Sequence, residues 1–72
     1  MNVVWSERAI EDWLRLNLKD ARVIAVAVEA WARTGAGLVL AVEGEFRLLV
    51  GVHLVVLLVD GETAHVDRVR RA

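Results

Sequence analysis

Cysteine is absent from this sequence, which excludes disulfides, thiolate metal sites and cysteine nucleophiles. A chain without disulfides suits the cytoplasm, the compartment expected for it. Glutamine is missing too, and eight of the nine basic residues are arginine, a bias that thermophily and a GC-rich genome explain equally well. Nine Lys and Arg against ten Asp and Glu leave a formal net charge of -1. No global field draws in nucleic acid, so any such contact needs a local cluster. The apolar runs are broken by Glu29, by Glu43, Glu45 and Arg47, or by His53, and none reaches the roughly 18 residues of a membrane span. The opening MNVVWSERAI carries Glu7 and Arg8 before any long apolar stretch, so no targeting segment is read there. There are only two histidines, with no Asp/Glu/Cys pattern at ligand spacing around them, and neither a metal nor another cofactor is expected.

What is present is apolar. The chain has 72 residues, of which 57% are hydrophobic, against about 45–50% in an ordinary soluble domain. A single domain spanning residues 1–72 is expected, near the size at which one core barely outweighs chain entropy. So short a chain cannot hide that much apolar surface in a monomer, and self-association or a bound partner is the default.

Asn2 to Trp5 reads as a short strand, three of its four residues being β-branched or aromatic. Ser6 offers an N-cap and Glu7 suits the first turn of an amphipathic helix about three turns long, with Ala9, Ile10, Trp13, Leu14 and Asn17 on one side. Asn17 or Asp20 can cap a second helix ending near Thr34, with Gly35 as its left-handed terminator. Its middle, VIAVAVEAWA, could pass for a strand. Arg22, Glu29 and Arg33, however, fall within about 20° of one line on a helix. So narrow a polar stripe predicts a helix clasped on several sides. From Leu38 the pattern is β: Leu38 to Val42, Phe46 to Val50, His53 to Val59 and Thr63 to Val69, separated by turns at Glu43-Gly44-Glu45, near Gly51 and at Asp60-Gly61-Glu62. The fold class is therefore α+β, an αα-hairpin on a twisted antiparallel sheet of about four strands.

The strand from His53 to Val59 does not alternate. Leu54, Val56 and Leu58 face one way and Val55, Leu57 and Val59 the other, so both faces of the sheet are apolar there. One face takes the hairpin, and the other is left for a dimer mate or another partner, with Leu54, Val55 and Leu57 as its candidate interface residues. His53 and His65 on adjacent strands are either acid/base candidates or half-exposed sheet histidines. Arg68, Arg70 and Arg71 form the only basic cluster, able to hold phosphates or to serve as a solvated tail. Arg47 either points out of the sheet into a site or pairs with Glu43, Glu45 or Asp67. Trp5, Trp13 and Trp31 read as core anchors.

Two stretches together resemble the RelE/ParE toxin superfamily of bacterial toxin-antitoxin systems. VVWSERAIEDWLRL is similar to the family's opening strand and Ser-capped helix. FRLLVG followed by LVVLLVDGETAHVDRVRR is similar to its C-terminal pattern, in which an Arg-bearing strand runs to Gly, an apolar strand reaches Asp-Gly, and the last strand closes on basic residues. The likeness covers about two thirds of the chain. It implies a helical hairpin on an antiparallel sheet and an antitoxin protein as partner. It also implies, in some members, cleavage of ribosome-bound mRNA through attack by the RNA's own 2′-hydroxyl, and in others inhibition of DNA gyrase. Carried over by position, Arg47 matches the Arg of the strand before the glycine and is a catalytic candidate. Arg68, Arg70 and Arg71 match the basic close of the last strand as RNA-binding candidates, and His65 falls where an aromatic is frequent. His53 and His65 are the catalytic candidates for acid/base work. The chain departs from the family by having His53-Leu54 where Tyr-Arg is common, no Tyr anywhere, and only Thr34-Gly35-Ala36-Gly37 in place of a basic loop. It also ends at Ala72, short of the family's C-terminal extension. These departures point to a shortened or degenerate member, and to a competing role as a catalytically silent homologue that self-associates or binds a partner.

Overall fold

The computed structural model describes residues 1–72. Strand β1 (Asn2–Trp5) is followed by helices α1 (Glu7–Leu14) and α2 (Leu18–Thr34), then by β2 (Leu38–Val42), β3 (Glu45–Val50), β4 (His53–Asp60) and β5 (Thr63–Arg71). The caps are those the sequence predicts. Ser6 Oγ accepts from the Ala9 amide at 3.0 Å, Asn17 Oδ1 accepts from the Asp20 amide at 2.8 Å, and Gly35 ends α2 at φ 75°. With Asn17 already capping α2, α1 stops at Leu14 after about two turns, shorter than its apolar spacing suggests.

The sheet has five strands in the order β1-β5-β4-β3-β2. The four C-terminal strands form an antiparallel meander, as expected. The short N-terminal strand is the addition: it joins the edge parallel to β5, with Val3 opposite Ala64 and Trp5 opposite Val66. The connection from β1 to its parallel partner β5 runs through both helices and the other three strands, so the chain crosses from one edge of the sheet to the other before the meander returns to β1.

Both helices cover one face. Ala9, Ile24, Val28 and Trp31 from the helices meet Leu48, Val55, Leu57, Ala64, Val66 and Val69 from the sheet in one buried cluster. Trp31 lies 5.9 Å from the Phe46 ring, and Trp5 and Trp13 meet edge to face at 6.1 Å. Trp13 Nε1 donates to the Ala21 carbonyl at 2.8 Å, tying α1 to α2. The expectation that α2 is clasped on several sides is corrected. Only the Ala21, Ile24, Val28 and Trp31 stripe is buried, and Val26 is 69% exposed on the outer side. A helix lying on one sheet with one neighbouring helix has a third side open to solvent.

A two-residue turn at Glu43-Gly44 links β2 to β3, with φ of 45° and 83° at its two central residues. Glu is a poor choice for a positive φ, whereas Asn tolerates it. Glu43→Asn is therefore expected to stabilise the domain by about 0.5–1 kcal/mol, seen as a rise of several degrees in the thermal midpoint followed by circular dichroism.

Candidate functional site: the open face of the sheet

The face turned away from the helices is built by cross-strand neighbours that the register places in rows. One row runs Leu40, Arg47, Val56, Arg68; a second runs Leu38, Leu49, Leu54, Arg70; a third runs Val42, Glu45, Leu58, His65, Val4. Residues directly opposite one another share a face, so Arg47, His65, Arg68 and Arg70 all lie on this side. Val56 is also on this side, yet buried and outside the core cluster. Its register neighbours are Arg47 and Arg68, whose aliphatic stems can shelter it while their charged ends reach water.

An irregularity in β5 makes this arrangement. Val56 is opposite Arg68 and Leu57 is opposite Val66, so Asp67 is the extra residue of a β-bulge. Strict alternation from Val66 would send Arg68 and Arg70 toward the helices. The bulge resets the phase, puts Val66 and Val69 both in the core, and turns Arg68 and Arg70 outward.

Helix α1 closes the exposed edge of β5 beside the bulge. Ser6 Oγ donates to the Asp67 carbonyl at 2.9 Å. The Asp12 carboxylate accepts three hydrogen bonds, from Arg68 Nε at 2.8 Å, Arg68 Nη2 at 3.2 Å and the Val69 amide at 3.0 Å. The bidentate bond from Arg68, helped by the Val69 amide and opposed by partial burial, holds the Asp12 carboxyl below the usual carboxylate range. The same bond raises the already high pKa of Arg68. Nothing in the sequence around Asp12 marks it for this role. On the helix it belongs to the polar side, and only the docking of α1 against β5 gives it this role.

The sequence-derived candidates therefore separate. Arg47 both faces outward and pairs with a carboxylate, its Nε donating to Glu45 Oε2 at 3.0 Å. Arg68 is engaged by Asp12. Arg70 remains on the open face without an ion-pair partner. Arg71 is opposite His53, itself opposite Val50, on the helix-bearing side, so the three C-terminal arginines do not form one patch. The two histidines stand on opposite faces. His53 lines a small cleft with Asp20, Ile24 and Val50 beneath the start of α2, while His65 is next to Leu58 on the open face. The interface set is corrected as well: Val55 and Leu57 are 0% exposed in the core, and Leu54 alone of the three faces outward.

Apolar side chains dominate what is left of the open face. Leu38, Val39, Leu40, Arg47, Leu49 and Leu54 line a shallow depression of about 380 Å³ at the β2 corner. Two of the outward cations are already hydrogen-bonded to carboxylates, and His65 is separated from Glu45 by Leu58, about 10 Å across two strand spacings. A general base must come within about 3 Å of its proton. The surface is better suited to docking than to proton transfer. No three His, Asp or Glu side chains group as a metal site would require, and no helix is long and apolar enough to cross a membrane.

No protein-family model matches the sequence, and no curated protein matches it. Solved structures do match its fold. The YoeB/ParE toxin from Agrobacterium tumefaciens is similar with a TM-score of 0.81 at 22% identity, over 100% of this chain and 99% of that one. The RelBE toxin-antitoxin complex from E. coli gives 0.80 at 13% identity, over 99% and 95%. The YoeB-YefM complex from Staphylococcus aureus gives 0.78 at 20%, over 100% and 97%. The order of strands and helices, and the likeness already visible in VVWSERAIEDWLRL and in the closing strands, lead to one conclusion: this chain has the RelE/ParE toxin fold.

Proposed function

We propose that the protein is the toxin-like component of a toxin-antitoxin pair, restrained by an antitoxin protein and acting in the cytoplasm through surface contacts made by the open face of its sheet. The observation that carries this is the near full-length likeness to toxin chains, two of them in complexes with their antitoxins. The apolar rows around Leu38, Leu49 and Leu54 supply a surface that a protein segment can cover. Induced expression in a bacterial host is expected to arrest growth, and co-expression of a small acidic reading frame adjacent to this one is expected to relieve the arrest. Normal growth at confirmed soluble expression would overturn the reading.

A second reading is that the protein promotes cleavage of ribosome-bound mRNA, with Arg47 and Arg70 holding phosphates and His65 as the acid/base group. It is favoured by the bulge at Asp67, which turns Arg68 and Arg70 onto the face that Arg47 and His65 already occupy. In that case Arg70→Ala should lower cleavage of ribosome-bound message about tenfold or more while leaving the thermal midpoint unchanged, since Arg70 is exposed. Growth arrest without transcript cleavage would leave the docking reading and remove this one.

A further inference from the structure

Sheets in stable monomers protect their edges with charge, proline, bulges or very short strands. One edge here is protected: β1 has four residues, and beyond Trp5 the neighbouring strand is capped by Ser6 and Asp12 of the α1 region. The other edge is not. Strand β2 is LVLAV, five residues without a charge or proline, regularly paired to β3 from Leu38 opposite Leu49 to Val42 opposite Glu45. Its outer side carries no strand. Leu38 is 68% and Leu40 62% exposed, and the shallow apolar depression runs out to this edge.

We propose that β2 pairs antiparallel with β2 of a second copy of this chain, about a two-fold axis at Leu40, to form one continuous ten-stranded sheet. The strand is its own complement in this register. Leu38 meets Val42, Val39 meets Ala41 and Leu40 meets Leu40, so every pair on both faces is apolar. Charge selects the antiparallel direction. The acidic turn residue Glu43 stands at one end of β2, and uncharged Gly35-Ala36-Gly37 leads into the other. Two-fold pairing sets each Glu43 beside a glycine-rich end, with the two carboxylates about 20 Å apart along the strands and beyond the screening length of about 8–10 Å. A parallel pairing would stack them. Five residues per copy make a small interface, short of the roughly 1,200–2,000 Å² of a tight complex, so the dimer forms in the micromolar range.

The absence of cysteine provides a direct test. In an antiparallel pair the residues on the two-fold lie about 4.5–5.5 Å apart at Cα, within disulfide range. Leu40→Cys is expected to cross-link to a covalent dimer on mild oxidation, whereas Leu58→Cys, on the same face but two strands inward, is not. In sedimentation velocity the unmodified chain is expected to shift from monomer to dimer between low and several hundred micromolar. Leu40→Lys, which opposes two like charges on the axis, should weaken association about tenfold or more while the circular dichroism spectrum is unchanged. A monomer at every concentration overturns the proposal, as does equal cross-linking at both positions. A dimer that survives Leu40→Lys but is lost in Val26→Lys places the interface on α2 and also overturns it. None of these readouts depends on toxicity.

Discussion

Leu57→Asp is expected to unfold the protein, and Leu54→Asp, three residues earlier on the same strand, to leave it folded. Leu57 is 0% exposed at the centre of β4, in the cluster that includes Ile24, Val28 and Trp31. Truncating a buried leucine alone costs about 2–5 kcal/mol, and a carboxylate there has no partner and adds a desolvation cost of several kcal/mol. A domain of this length holds only about 4–11 kcal/mol in total. The substitution therefore removes most or all of the stability. Leu54 has its side chain on the open face between Leu49 and Arg70, where water reaches an added carboxylate and Arg70 is close in register. Far-UV circular dichroism with thermal melting distinguishes the two. A folded Leu57→Asp protein would mean that the helices do not cover the face assigned to them here.

Asp12→Ala is expected to be the most damaging change at a charged position. It removes the acceptor of the Val69 amide, a backbone donor at a residue only 5% exposed, and an unsatisfied donor of that kind costs about 1–3 kcal/mol. It also frees Arg68 from its bidentate partner. For a domain of 60–100 residues each kcal/mol lowers the melting temperature by about 4–8 °C. The pH dependence follows from the depressed carboxyl. Because its folded-state pKa is lowered from 3.8, the stabilisation is present above that value and is lost as pH falls through the folded-state pKa. The gap in melting temperature between the unmodified chain and Asp12→Asn should therefore be full at neutral pH and should narrow only below about pH 3.8, in the range set by the folded carboxyl. A gap of the same size at every pH would assign the effect to packing instead of to the ionised carboxylate.

Freeing Arg68 has a functional side as well. Its guanidinium is oriented by Asp12 at the junction of α1 and β5, so a phosphate must compete with a carboxylate already in place. Arg47 meets the same competition from Glu45. Surface contacts in this fold can coexist with those pairs, since the apolar rows between the arginines remain free. This competition supports the docking reading proposed above over strand scission.

How far the fold could be read in advance depended on the range of the interactions involved. The two helices were legible because their signals are local: Ser6 and Asn17 as caps, Gly35 as a left-handed terminator, and the alignment of Arg22, Glu29 and Arg33 that no strand could satisfy. The C-terminal meander was legible from apolar runs cut by Glu43-Gly44 and Asp60-Gly61. Even the two-faced character of β4 was plain from its composition. The pairing of β1 with β5 was not, because a strand's sequence does not name a partner some sixty residues away. Nor was the face that the helices would choose, and so Val55 and Leu57, which belong to the core, looked equivalent to Leu54. The arginines of the last strand show the same limit most clearly. Their charge was visible from the start, but the side of the sheet they occupy depends on one extra residue at Asp67, stabilised by Ser6 and Asp12 from the other end of the chain. Periodicity and capping act within a few residues and are written locally; register, bulges and the choice of buried face are settled only when distant segments meet and bury the most apolar surface together.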